Sequence, residues 1–155
     1  MPACIVVSVV LSLLCSAISY ARQAQEKSQA AQNSDDADAR PPVTKADLQI
    51  VRRARKILSS PAVWNRADTR ECPANEKTFS IYCALEKATD EVGGNFQHRG
   101  AAMQEARFVI DDTAPNAKKY SHRLMDYNND PTTTFTDVQK FFQILEDRIR
   151  KRLAE

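Results

Sequence analysis

An apolar stripe near the C-terminus constrains the fold of this chain more than any other feature of the sequence. Large hydrophobic residues recur there at intervals of three and four over about five helical turns. They are Val138, Phe141, Phe142, Leu145, Ile149 and Leu153. Cations cluster near the end of this segment, where the dipole of a helix favours positive charge. The spacing predicts a long amphipathic helix that needs other helices to cover its apolar side.

Four segments upstream show the same helical spacing. They cover about residues 44–59, 75–92, 97–111 and 116–125. Thr44 and Asp47 form a capping-box pattern at the start of the first segment, and Pro61 follows its end. The period of two that is typical of strands occurs only weakly, at residues 78–83. We therefore predict an all-α fold, a single small bundle of about five helices.

The N-terminus has the pattern of an export signal. Residues 1–21 carry no charged side chain, and the run from Ile5 to Leu14 has the length of a signal-peptide core. Ser19 and Ala21 supply the small residues that a signal peptidase reads, so cleavage is expected after Ala21. The prediction is an exported protein, periplasmic or secreted. The alternative is that residues 1–21 remain as an N-terminal membrane anchor.

A polar segment separates this signal from the helical region. Residues 22–43 are rich in Gln, Ala, Ser and Asp, and Val43 is their one aliphatic residue larger than Ala. Such a segment buries too little apolar surface to offset the entropy of ordering it. We predict a disordered linker at 22–43 and a helical domain at 44–155, whose length of about 110 residues suffices for one core.

Cys72 and Cys83 are the cysteines that follow the predicted cleavage position. In an oxidising compartment, an even pair in a small domain favours a disulfide. The alternative is that Cys83, which has apolar neighbours in the sequence, is a buried free thiol. The spacing of eleven residues leaves both readings open.

The segment from Asp126 to Asp137 follows the rhythm of a calcium-binding loop. Its metal candidates are Asp126, Asn128, Asp130 and Asp137. Pro131 stands at the sixth position, where the loop requires a residue that can take the sharp turn. A competing interpretation needs no metal: residues 128–131 form a turn, and Thr134 with Asp137 caps the last helix. The second interpretation accounts for more of the polar residues.

A basic patch lies on the first predicted helix. Its members are Arg52, Arg53, Arg55 and Lys56. No aromatic residue or second basic helix accompanies them, and the net charge of the whole chain is only +2. The patch is therefore interpreted as a solvated helix face, and the sequence argues against a nucleic-acid partner. No catalytic cysteine–histidine pair, zinc-ligand spacing or phosphate-binding glycine loop occurs in the sequence, and no cofactor is predicted.

Four short motifs resemble the ordered landmarks of a bacterial family of small helical domains of unknown function. They are SPAVW at 60–64, YCALEKA at 82–88, YNND at 127–130 and FTDVQKFF at 135–142. The resemblance covers about residues 46–150. It implies that the Asn-Asp turn belongs to the scaffold, and it transfers no activity or functional residue.

The sequence thus predicts an exported helical domain that binds another macromolecule, most simply a protein, without catalysis. The alternative is a small metal-dependent protein or enzyme that uses residues 126–137 as a calcium-like loop. A membrane is expected as a partner only if residues 1–21 are retained. Whether the chain is an enzyme is left open by the sequence.

Overall fold

The fold is built from α-helices joined by short irregular segments. The computed structural model describes residues 40–155, and within that range the chain forms five α-helices and no strand. They are α1 (Lys45–Ile57), α2 (Ile81–Gly93), α3 (Ala101–Thr113), α4 (Arg123–Asn129) and α5 (Phe135–Leu153). Short 3-10 turns occupy Pro61–Val63 and Ala117–Lys119. The predicted all-α fold of about five helices is confirmed.

Two helices begin with the capping boxes that the sequence indicates. At the start of α1, the backbone N–H of Thr44 donates to Oδ2 of Asp47 over 2.8 Å, and the Thr44 hydroxyl accepts the N–H of Asp47. At the start of α5, Thr134 and Asp137 make the same pair of bonds, with a distance of 2.9 Å from Thr134 N to Asp137 Oδ2. Each box satisfies backbone donors that the first helical turn leaves without partners.

The second helix begins later than the predicted start near residue 75. It begins at Ile81, where the hydroxyl of Ser80 accepts the N–H of Cys83 over 3.1 Å. The preceding residues form a turn, then bends at Lys77 and Thr78, and then a short link in which Phe79 pairs with the segment at Trp64. Phe79 N–H donates to the carbonyl of Val63 over 2.8 Å, and Asn65 N–H donates to the carbonyl of Phe79 over 2.9 Å. These long-range bonds hold residues 75–80 away from helical geometry.

The third and fourth helices also differ from the predicted bounds. The backbone N–H of Gly100 donates to the carbonyl of Gln97 in a turn, so α3 begins at Ala101. The predicted helix at 116–125 is replaced by a 3-10 turn and then by α4, which runs to Asn129. The predicted turn at 128–131 therefore starts only at Asp130, after the helix has ended.

The core lies between α1 and α5, with the other helices packed around this pair. The helix α1 contacts α2 and α5, and α3 contacts α4 and α5. The apolar stripe of α5 faces inward, and Phe142, Leu145 and Ile149 have no exposed surface. Phe141 and Phe142 meet edge to face, with ring centroids 5.1 Å apart. This packing is what the stripe predicted.

Residues 40–43, which the sequence assigned to the linker, contact the helical domain. The guanidinium of Arg40 lies 4.2 Å from the ring centroid of Phe108, and the carbonyl of Pro41 accepts a hydrogen bond from Arg152 over 3.0 Å. Val43 packs against the core. The predicted signal peptide and the rest of the predicted linker lie outside the described residues. No helix between residues 40 and 155 is long and apolar enough to cross a membrane.

Candidate functional site

Asn128, a metal candidate from the sequence, is instead a buried structural residue. Its side-chain oxygen accepts the indole N–H of Trp64 over 2.8 Å and the backbone N–H of Ile81 over 3.1 Å. Its side-chain nitrogen donates to the carbonyl of Asn65 over 2.9 Å. Asn128 has no exposed surface. One amide thus fastens α4 to the loop after α1 and to the start of α2, and this fixes both the indole and the loop.

Asn129 and Asp68 extend the same network. The side chain of Asn129 donates to the carbonyl of Asp68 over 2.9 Å and accepts the N–H of Asp68 over 2.8 Å. Asp68 is itself buried, and burial raises the pKa of its carboxyl, an effect that the N–H of Arg70 partly offsets. Nothing in the local sequence marked Asp68, because its burial depends on Asn129, which lies 61 residues away.

The other three metal candidates also serve local structure. Oδ2 of Asp126 accepts the N–H of His122 over 2.7 Å, and Asp137 completes the cap of α5. The carboxylate of Asp130 accepts bonds from the Thr132 backbone and hydroxyl, from the amide of Asn116 and from the hydroxyl of Tyr120. These bonds hold the pKa of the Asp130 carboxyl well below its ordinary value.

The four metal candidates do not form a calcium-like loop. Residues 126–129 are helical, so the first third of that loop would lie on α4. Within residues 40–155, no group of three or more His, Cys, Asp or Glu side chains is placed to hold a metal ion. The geometry therefore favours the interpretation in which these residues serve the scaffold.

The basic patch on α1 is engaged by neighbouring helices. Nε of Arg52 lies 2.8 Å from Oε1 of Glu146 on α5, and Arg53 pairs with Glu91 on α2. Arg55 donates to the side-chain oxygen of Gln143 over 2.8 Å. These three cations connect helices and are not a free cationic surface. Lys56 is exposed on the same helix.

The two cysteines lie beside a concave feature that carries concentrated negative charge. Cys72 and Cys83 are joined in a disulfide, with Cα atoms 5.3 Å apart, which ties the irregular segment before α2 to that helix. A cavity of about 370 Å³ opens next to it. We call it the carboxylate pocket, because its lining includes Glu71, Glu76, Glu86, Asp90 and Glu91. Apolar parts of its wall come from Pro73, Phe79 and the disulfide.

Most of the negative charge in the carboxylate pocket is not neutralised by neighbouring cations. Glu91 pairs with Arg53 and lies 3.6 Å from the ammonium of Lys87. The other four carboxylates form no ion pair with any residue between 40 and 155. Burial, and then the neighbouring charge of Asp90, raise the pKa of Glu86. The pocket therefore concentrates negative charge on a chain whose net charge is positive.

The sequence could have indicated only part of this pocket. Glu86 and Asp90 are four residues apart, which places them on one face of α2. Glu71 and Glu76 reach the same place because the disulfide and the link at Phe79 fold the loop over the helix. No local sequence pattern predicts that this loop folds back over α2.

Comparison with known families identifies the type of domain. A model described as a family of unknown function, DUF6197, matches residues 42–148. The chain belongs to this family. The DUF6197 match spans α1 to α4 and most of α5, and it contains Trp64, Asn128 and the carboxylate pocket. The resemblance to a helical domain family of unknown function is thereby confirmed. No curated protein and no solved structure matches the chain.

Proposed function

We propose that this DUF6197 domain is a binding module without catalysis, and that it holds a basic segment of a partner protein in the carboxylate pocket. The observation that carries the proposal is the group of four carboxylates without ion pairs around a partly apolar cavity. We infer a basic partner from charge complementarity, because a cationic ligand reduces the repulsion among carboxylates that folding brings together.

The dimensions and chemistry of the pocket suit a lysine or arginine side chain. Both side chains have an apolar stem and a cationic head. The stem would lie along Phe79 and the disulfide, and the head would meet Glu86 and Asp90 on α2. The volume of about 370 Å³ is within the range of ligand pockets, but it admits only one or two side chains. The rest of the partner segment would therefore lie across the surface.

Binding is expected to be sensitive to these carboxylates. A fluorescently labelled peptide of alternating Lys and Ala should bind the protein, and the double change Glu86→Gln with Asp90→Asn should weaken binding by about tenfold, since each partly solvated ion pair contributes a fraction of a kcal/mol to about 1 kcal/mol. Fluorescence anisotropy measures this. The matched control is Asp147→Asn with Glu155→Gln, which changes the net charge equally but lies outside the pocket.

The proposal also predicts how binding depends on pH and salt. Because the pKa of Glu86 is raised, lowering the pH removes its charge before an ordinary glutamate is protonated, so affinity should begin to fall early in the titration. Added NaCl should weaken binding by screening. Equal weakening by the pocket variant and the control variant would show that only net charge matters, and it would contradict a pocket site.

We also propose that the protein acts outside the cytoplasm. The disulfide supports this location, because such bonds persist in oxidising compartments. The alternative, retention of residues 1–21 as a membrane anchor, places the same domain on a membrane surface. Mass spectrometry of protein from the exported fraction should find a chain that begins at Arg22. Finding the chain only in the cytoplasm, beginning at Met1, would contradict the proposal.

A further inference from the structure

A second cavity, of about 260 Å³, shares no lining residue with the carboxylate pocket. One part of its wall is a face of α5 that carries Lys140, Phe141 and Ile144. The rest comes from the end of α3, from α4 and from the loops on either side of α4. We call it the hydroxyl pocket, because five residues with a hydroxyl group line it: Thr113, Tyr120, Tyr127, Thr132 and Thr133.

Three of these hydroxyls are used to build the wall of the hydroxyl pocket. The hydroxyl of Thr113 donates to the carbonyl of Val109 over 2.6 Å. The hydroxyls of Tyr120 and Thr132 donate to the carboxylate of Asp130 over 2.8 Å and 2.6 Å. These three groups therefore have a structural role, and a ligand is not needed to account for them.

The other two hydroxyls have no such role. Within residues 40–155, the hydroxyls of Tyr127 and Thr133 form no hydrogen bond. The ring of Tyr127 packs against Phe141, with centroids 5.9 Å apart, and Thr133 bonds only through its backbone. Tyr127 is 8% exposed and Thr133 is 5% exposed. A hydroxyl on so buried a residue ordinarily has a partner.

Both unpartnered hydroxyls face open space rather than the sealed core. The sealed side-chain polar atoms that lack a partner between residues 40 and 155 belong to Asp68, Glu105 and Arg148. The hydroxyls of Tyr127 and Thr133 are not among them, so both retain contact with the cavity that their residues line. Water or a ligand in that cavity is what satisfies them.

The charged groups of the hydroxyl pocket offset one another. Asp137 accepts the N–H and the hydroxyl of Thr134 through Oδ2. Those bonds, and then the charge of Lys140, lower the pKa of the Asp137 carboxyl. Lys140 is exposed and forms no ion pair within residues 40–155. Asp137 would repel an anion and Lys140 would repel a cation, so the charges favour a neutral ligand.

We propose that the hydroxyl pocket binds a small neutral polyhydroxyl compound, of the size of one monosaccharide ring. A hydroxyl both donates and accepts, so the hydroxyls of such a ligand can pair with Tyr127 and Thr133 in either direction. The rings of Tyr127 and Phe141 supply an apolar wall for its C–H groups. The volume of about 260 Å³ is just below the usual range of ligand pockets, which suits one ring and not a chain of rings.

The protonation of Tyr127 is consistent with this role. Burial, and then the charges of Asp137 and Asp130, raise the pKa of Tyr127 to about 12. The phenol therefore keeps its proton at neutral pH and can donate it to a ligand oxygen. The hydroxyl pocket is independent of the function proposed for the carboxylate pocket.

A titration in ¹H–¹⁵N spectra tests the proposal, with glucose, galactose, mannose and ribose as separate probes. At least one sugar at millimolar concentration should shift the amides of Thr133 and Lys140 and leave that of Glu86 in place. Tyr127→Phe should weaken this binding about fivefold, and so should Thr133→Val, because each change removes one neutral hydrogen bond.

Matched controls remove the same groups elsewhere. Tyr82→Phe and Thr136→Val delete a tyrosine and a threonine hydroxyl outside the hydroxyl pocket, and both should leave sugar binding unchanged. Tyr127→Phe should also leave the melting temperature within about 2 °C of that of the unaltered protein, because its hydroxyl bonds to no protein group. A larger fall would assign the hydroxyl to the scaffold and contradict the proposal.

Three binding results would overturn the proposal. The first is that none of the four sugars shifts the amides of Thr133 and Lys140. The second is that the control variants weaken binding as much as Tyr127→Phe does. The third is that acetate or glycine shifts those amides while the sugars do not, which would mean a charged ligand. Glu86→Gln with Asp90→Asn should retain sugar binding, which separates these outcomes from failure of the carboxylate pocket.

Discussion

The change Asn128→Ala is expected to lower the free energy of unfolding by about 4 kcal/mol, because it leaves one buried and two partly buried polar groups without a partner. The indole N–H of Trp64, the N–H of Ile81 and the carbonyl of Asn65 all lose their partner on this amide. Each buried group left without a partner costs about 1–3 kcal/mol. Since Asn128 is fully buried, water cannot replace these bonds without opening the structure.

Urea denaturation followed by circular dichroism measures this loss. The matched control is Asn75→Ala, because Asn75 is exposed in the loop before α2. This change should alter the free energy of unfolding by at most about 0.5 kcal/mol. In a Trp64→Phe background, which lacks the indole donor, Asn128→Ala should cost about 1 kcal/mol less. A loss below about 1 kcal/mol for Asn128→Ala alone would mean that the amide does not hold the loop.

Removing the disulfide is expected to have the second-largest effect. Cys72→Ala together with Cys83→Ala should lower the free energy of unfolding by about 3 kcal/mol, because the bond closes a loop of eleven residues and restricts the unfolded chain. The folded chain also loses the link that keeps residues 72–80 against α2. The affinity of the carboxylate pocket for a basic peptide should fall as well, since the disulfide forms part of its wall.

The reducing agent dithiothreitol supplies the control for this experiment. It should lower the melting temperature of the unaltered protein toward that of the double variant, and it should not change the double variant. If reduction leaves the melting temperature of the unaltered protein unchanged, the bond contributes little to stability, and the expected loss of about 3 kcal/mol is contradicted.

The elements that the sequence predicted correctly are those with local signals. The start of α5 follows from Thr134 and Asp137, and its inward face follows from spacing alone. The predicted start of α2 was wrong for a physical reason. Residues 75–80 carry a plausible helical pattern, but the bond from Ile81 to Asn128, which lies 47 residues away, and the link at Phe79 override it. No periodic pattern in the sequence predicts such long-range bonds.

The candidate sites were also predicted only as far as local sequence patterns allow. The oxygen-bearing residues from Asp126 to Asp137 matched a calcium pattern only in part, and a pattern cannot show which donor each oxygen meets in the folded chain. The arginines of α1 were interpreted as a solvated helix face. Their carboxylate partners lie on α2 and α5, which are distant in the sequence. The carboxylate pocket combines residues from separate segments, so only the folded structure brings its carboxylates together.

A map of backbone amide shifts tests the central claim, that the polar landmarks of this domain build a scaffold and that the carboxylate pocket is its binding surface. In ¹H–¹⁵N spectra, a basic peptide should shift the amides of Glu71, Glu86 and Asp90 and leave those of Asn128 and Asp137 in place. Shifts concentrated at residues 126–137, or the absence of any shift at millimolar peptide, would contradict the claim.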